Sequence, residues 1–431
     1  MTPPTLERAD DADGLTENES GAMTAPKRSS ARGVYLTVLV AALGYFVDIY
    51  DLILFLIVRV KSLRALGVAP GMVLDQGVLL LNMQMIGMLG GGVLWGILGD
   101  KRGRLSVLFG SIFLYSVANI ANGFVETVPQ YAALRLIAGV GLAGELGAGI
   151  TLVSEIMSRE GRGWGTTVVA GVGLCGAIVA ALVGAAFSWQ VAYFVGGGLG
   201  LALLVLRIGL HESGMFESAR TRAAPRGNFL DLFANAARAR RYLSVILVGL
   251  PIWFTIAILV GLSPELSRAM GLPATPDPGR AVMLFYIGGS LGDFASGLSS
   301  QMLRSRKRVL ALFIGLTAVA MGCYFTLGRT SVSAMYGCCF FLGAATGYWA
   351  IFVTVASEHF GTNLRATTTT TAPNFVRGSV VPITSAFQAM KGPLGATTSA
   401  AIVGTTTLVI AVAALVSLDE TFGRDLDFIE E

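Results

Sequence analysis

Charged side chains sit inside long apolar runs of this 431-residue chain, among them Asp48, Asp51, Arg135, Glu145, Asp293 and Arg377. A charge in such a run is costly to desolvate and is by default a functional candidate. Two chemistries suit the set. A carboxylate partly removed from water gains proton affinity and a nearby guanidinium lowers it again, so the two together can take up and release a proton. A guanidinium also grips a carboxylate through its planar fork. Asp48 and Asp51 stand three apart, which places both carboxylates on one helix face. Arg135 and Glu145 stand ten apart and do not share a face. No nucleophile–base arrangement accompanies them, and His211 and His359 lie far apart with no zinc spacing around them. A membrane enzyme or a metal site is therefore not expected. Cys175, Cys323, Cys338 and Cys339 fall in apolar runs and read as small buried residues.

These charges need elements to position them. The chain is 54 % hydrophobic and 13 % charged, whereas soluble domains carry about a quarter charged residues. Apolar runs of about 20 residues recur, each long enough to cross a hydrocarbon core of roughly 30 Å as a helix. Twelve spans result, near 34–58, 76–98, 105–124, 129–156, 165–187, 189–210, 242–263, 281–303, 309–328, 332–356, 366–389 and 394–417. The seventh contains Pro251. The eleventh is Thr-rich with Pro373 and Pro382. Spanning helices satisfy their own backbone groups, so an all-α integral membrane bundle is the expected form. The 55 glycines suit close helix packing in lipid. Residues 1–32 read as a disordered tail, and no signal-peptide pattern precedes the first span.

The chain also repeats itself. Glu155 precedes Arg162 and Glu358 precedes Arg365 at the same spacing, 203 residues on. GILGDKRGR at Gly96 is echoed by GLSSQMLRSRKR at Gly297. Repetition at this scale points to two pseudo-symmetric six-helix halves and to a secondary transporter. The halves are expected at 33–210 and 242–418, with an Arg-rich linker at 211–241 and a cytoplasmic tail at 419–431. With the N-terminus inside, twenty basic residues fall on inner segments and seven on outer ones, a positive-inside bias. Arg59, Lys61 and Arg64 are a local exception. The net charge of +4 is a topology signal and no sign of nucleic-acid binding.

The loop Gly96, Asp100, Lys101, Gly103 and Arg104 resembles the signature of the major facilitator superfamily, G-x-x-x-D-[RK]-x-G-R. In that family the loop latches the halves together on the cytoplasmic side while the outside is open. Gln301 replaces the Asp in the second copy, which is expected to latch weakly or not at all. Glu155 with Arg162, and Glu358 with Arg365, are candidates for cross-loop ion pairs that break as the halves rock, with plain helix-end solvation as the alternative. The chain is most similar to the metabolite:proton symporters and the related sugar and organic-ion porters. Those families carry an acidic-x-x-Asp pair in span one and an Arg-containing, Gly-rich, Glu-ending run in span four. Asp48, Asp51, Arg135, Gly139, Gly144, Glu145, Glu155 and Arg162 fit, with Ala143 in place of one glycine. HESGMFES after span six is similar to their E-S-P-x-F segment, with Gly214 for the proline. The resemblance implies the major facilitator fold, proton coupling through the span-one acids, and Arg135 as the opposing charge.

Depth along a helix, about 1.5 Å per residue, places Asp48 and Arg135 each some 10 Å below the outer surface, where they could pair. Glu145 lies about 15 Å deeper and is either a proton relay or bonded to a neighbouring helix. Asp293 and Arg377 fall roughly 17 Å from the cytoplasmic end, near the midplane where transporter substrates bind. Arg377 is the candidate carboxylate clamp and Asp293 its resting counter-ion or an interface residue. Trp253, Tyr286, Tyr348, Trp349 and Asn374 are candidate pocket residues. The expectation is a monomeric, proton-coupled symporter of a small organic substrate, foremost a carboxylate, using no cofactor beyond the proton. It would sit in the bacterial inner membrane with both termini cytoplasmic. A proton-antiport exporter of drugs or metabolites, a zwitterion or polyol carrier, and a transport-dead sensor use the same scaffold and remain open at this point.

Overall fold

A computed structural model of the chain describes residues 31–102, 104–145, 162–212, 229–424 and 429–430. Among the described residues there are helices and no strands. The first half contains α1 (Ala31–Ala65), α2 (Val73–Arg102), α3 (Arg104–Asn122), α4 (Val128–Leu142), α5 (Arg162–Ala186) and α6 (Trp189–Glu212). The second contains α7a (Ala236–Val248), α7b (Leu250–Phe254), α8 (Pro278–Leu303), α9 (Arg306–Thr326), α10a (Val332–Thr346), α10b (Trp349–Glu358), α11a (Thr362–Gly378), α11b (Val380–Leu394) and α12 (Ala396–Ser417). Among the described residues, eight stretches are long and apolar enough to cross a membrane, and the described parts of spans three, four and five are shorter apolar helices. The Thr-rich span eleven is the remaining one. The fold is that of twelve transmembrane helices in two six-helix bundles.

Helix starts follow local chemistry. Thr127 and Gln130 form a capping box at α4. Asp277, Ser305 and Ser331 each accept a backbone N–H at the starts of α8, α9 and α10a. Pro251 lacks the N–H that an unbroken helix needs, and span seven divides at Gly249 and then widens into a π turn at Thr255–Val260. Span ten divides at Gly347 and Tyr348. The two breaks meet, because the Tyr348 hydroxyl donates to the Val248 carbonyl at 3.1 Å.

In the first half α1 packs on α5, and α2 and α3 on α4; the halves join chiefly along α5 with α8 and α2 with α11a. Glycine permits close backbone approach between α2 and α4. A Cβ at Gly139 would lie 2.1 Å from the Gln84 carbonyl oxygen, and one at Gly87 would lie 2.1 Å from that of Leu136. The glycine-rich composition therefore serves helix contact, as lipid-embedded bundles require. Large apolar side chains such as Phe113, Leu182, Phe294 and Val205 face outward.

Several features differ from the sequence reading. α1 continues past 58 to Ala65. Span seven begins at Ala236, inside the expected linker, of which 213–228 lie outside the described residues. Cys175 is exposed rather than buried, and Cys323 is half-buried. Of the expected N-terminal tail, residues 1–30 lie outside the described residues, and Ala31 and Arg32 already belong to α1.

The described C-terminal residues dock against the second half. Glu430 pairs with Arg238 at 3.5 Å and with Arg241 at 3.2 Å. Glu420 caps the start of α9. Partial burial pushes the Glu420 carboxyl up, but hydrogen bonds from Ser305 and from the N–H groups of Phe422, Arg306 and Lys307 outweigh it and hold it at about 2. That contribution is present above the ordinary carboxylate range and is lost as pH falls towards 2.

Candidate functional site at the centre of the bundle

Asp48 is the middle of α1, seventeen residues from Ala31 and seventeen from Ala65. Its Oδ2 lies 3.3 Å from Arg377 Nη2, in the last turn of α11a. Both side chains are buried. The contact is single. Asp48 Oδ1 and Arg377 Nε and Nη1 have no hydrogen-bond partner among the described residues. The Arg377 guanidinium carbon stands 5.9 Å from the ring centroids of both Trp253 and Trp349, within cation–π range. Those two rings meet edge to face at 6.5 Å. The breaks in spans seven and ten bring these tryptophans to the site, since Trp253 lies in α7b and Trp349 opens α10b. A guanidinium with free donors beside two aromatic faces can hold a planar anion, with its carboxylate on the arginine and its body against the rings.

This arrangement corrects several expectations. Asp48 pairs with Arg377 of the other half and not with Arg135. The cause is the extra length of α1, which lowers Asp48 from the outer third to the middle. Arg135 donates to the Gln84 side-chain oxygen and lies 4.9 Å over the Phe55 ring. Asp48 and Asp51 diverge across their shared side of α1. Asp48 reaches α11a, whereas Asp51 faces Gly196 of α6, where an added Cβ would lie 2.1 Å from its Oδ1. Asp293 is not the counter-ion of Arg377. Its Oδ1 accepts the Ala350 N–H at 3.1 Å and caps the N-terminus of α10b, where a helix dipole favours an anion. Tyr348 spends its hydroxyl on the backbone. Tyr286 packs in the core, edge to face with Phe285 at 5.5 Å. Asn374, one turn before Arg377, donates to the Ala143 carbonyl at 2.9 Å and so ties α11a to span four.

The latch residues fare unevenly. Gly103 and Glu155, and the side chains of Asp100, Lys101, Arg104 and Arg162, lie outside the described residues. A Cβ at Gly96 would meet open space. Glu358 pairs with Arg306 at 3.1 Å and accepts the Thr421 hydroxyl at 2.7 Å. Arg365 donates to the Ser357 carbonyl at 3.1 Å. The Glu358 partner is thus the start of α9, because the α10b terminus packs beside it.

Glu145 has a partner that the sequence reading missed. Arg207 of α6 holds it through two contacts, at 2.5 and 3.1 Å, both side chains buried. An arginine near the end of span six was the available signal. Removing one member of a buried pair leaves an uncompensated charge and costs about 3–5 kcal/mol, whereas apolar replacement of both is far milder. Arg207→Met is accordingly expected to lower the thermal midpoint in detergent sharply, and Glu145→Leu/Arg207→Met to recover much of the loss. A double variant no more stable than the single would contradict this.

A family model described as Major Facilitator Superfamily matches residues 34–385. The chain is 28 % identical over 329 residues to the 3-(3-hydroxy-phenyl)propionate transporter of Escherichia coli K12, covering 72 % of this chain and 78 % of that one. It is 26 % identical to the niacin transporter NiaP of Acinetobacter baylyi, covering 77 % and 81 %. It is 28 % identical to the 4-hydroxybenzoate transporter PcaK of Pseudomonas aeruginosa, covering 66 % and 72 %. Among solved structures, the proton:xylose symporter XylE superposes with a TM-score of 0.69 at 15 % identity, covering 92 % of this chain and 98 % of that one.

Proposed function

The chain belongs to the major facilitator superfamily and is a multi-pass membrane transporter, and we propose that it carries a small aromatic carboxylate by proton symport with alternating access. The observation that carries this reading is Arg377, held by a single 3.3 Å contact to Asp48 and flanked by Trp253 and Trp349. The transporters of hydroxyphenylpropionate, niacin and hydroxybenzoate that it resembles support the substrate class.

A substrate carboxylate competes with Asp48 for the guanidinium. Once displaced, Asp48 sits in a low-dielectric interior without its cation, and taking up a proton relieves that cost. Substrate and proton then load together. When the substrate leaves, Arg377 returns to Asp48 and the proton is released. Each partner thereby makes the other's binding more favourable, as coupling requires. The basic bias and the bacterial relatives support an inner-membrane location with both termini cytoplasmic.

The test is uptake by proteoliposomes under an imposed proton gradient, acid outside, with labelled 4-hydroxybenzoate, nicotinate, succinate and xylose. Aromatic monocarboxylates are expected to accumulate and to leak out when a protonophore is added. Flux indifferent to the gradient sinks symport, and a preference for xylose sinks the carboxylate reading.

A further inference from the structure

We propose that Arg59 and Glu265 form the gate that closes the end of the transporter opposite the signature loop, the end that the basic bias assigns to the outside. The inference rests on the alternating-access part of the proposed function and not on the substrate. The starting observation is the exceptional cluster Arg59, Lys61 and Arg64. Lys61 stays within the first half, donating to the Gly184 carbonyl at 2.7 Å. Arg59 instead crosses to the second. Its Nη2 lies 2.8 Å from both carboxylate oxygens of Glu265 and 3.2 Å from the Gly261 carbonyl. Its stem fits against Gly77, where a Cβ would come within 2.6 Å of its Cδ. Arg59 is 1 % exposed, so water does not screen the contact as it would a surface pair.

A second contact between halves stands at the same end. Lys391, in the last turn of α11b, pairs with Asp75, in the first turn of α2. The charges are crossed: the first half supplies Arg59 and Asp75, the second Glu265 and Lys391. The Lys391–Asp75 pair is partly exposed and is the weaker of the two.

The placement on α1 gives the gate its meaning. Eleven residues separate Asp48 from Arg59, three helical turns, so both lie on one face about 16 Å apart. Both reach the second half from that face. α1 is therefore bound to the other half at two levels, one at the midplane and one at the end. Rocking open at this end must separate both. The midplane pair responds to substrate and proton; the Arg59–Glu265 pair sets the resting preference for closure. These two are positioning residues that touch no substrate.

The test uses the full chain with Cys175, Cys323, Cys338 and Cys339 replaced by Ser, and Leu56→Cys as reporter. Leu56 is buried at the seam, and its Cδ2 lies 3.1 Å from where a Gly261 Cβ would stand. The rate of labelling by a membrane-impermeant maleimide is measured on intact cells. Glu265→Gln is expected to raise it at least about tenfold. Arg59→Glu/Glu265→Arg is expected to return it towards the starting value, which a merely structural role would not do. Arg59→Lys, keeping the charge and losing the fork, should fall between. Unchanged labelling in Glu265→Gln overturns the gate. So does a charge-swapped pair that labels as fast as the single variant. If Glu265→Gln does not fold, Arg59→Lys decides: labelling at the starting rate overturns the proposal. No substrate is needed, so failure of the carboxylate reading leaves this result interpretable.

Discussion

Arg377→Ala is expected to weaken binding of an aromatic carboxylate by at least about thirtyfold. Losing one partner of a buried charge pair costs about 2–5 kcal/mol, and each 1.4 kcal/mol is about tenfold in affinity. Arg377→Lys should recover little of this. An ammonium keeps the charge but has neither the planar fork nor the flat face that lies 5.9 Å from both tryptophan rings. Tryptophan fluorescence quenching on the purified transporter measures the affinity directly, since Trp253 and Trp349 border the site. Equal affinity in wild type and Arg377→Ala would remove the clamp.

Asp48→Asn tests coupling instead of recognition. The carboxamide keeps the shape and can still accept from Arg377 across the 3.3 Å contact, but it cannot carry a proton at physiological pH. With one proton per substrate, each pH unit across the membrane is worth about 1.4 kcal/mol and sustains about tenfold accumulation. Asp48→Asn is expected to reduce that ratio to about one while exchange of labelled for unlabelled substrate continues. Accumulation that still follows the pH gradient would assign the proton elsewhere. Asp51, buried against α6 with both oxygens lacking a hydrogen-bond partner among the described residues, is the first residue to examine then.

The spans, their all-helical form and six of the charges inside them were legible in the sequence, whereas the buried Arg59 and Arg207 were not on that list. The break of span seven at Gly249 lies beside Pro251, a residue that cannot donate the hydrogen bond a helix requires. These are one-dimensional properties: helix rise, hydrocarbon thickness and the desolvation of a charge act on each segment separately. Partner choice is not of that kind. Asp48 and Arg377 stand 329 residues apart, and Arg59 and Glu265 stand 206 apart. No local pattern distinguished Arg135 from Arg377 as the cation facing Asp48.

The error in depth shows why. Hydropathy ends the first span near residue 58, where Arg59, Lys61 and Arg64 begin. The helix nevertheless continues to Ala65, because Glu265 and the Gly261 and Gly184 carbonyls from other helices accept the charges of Arg59 and Lys61. A charge ends an apolar run on paper; in the folded bundle a satisfied charge ends nothing. Composition and spacing determined that this chain spans the membrane and that Asp48, Asp51, Arg135, Glu145, Asp293 and Arg377 lie inside it. Packing of the two halves decided which charges meet, since only there does each buried cation find the oxygen that offsets its desolvation.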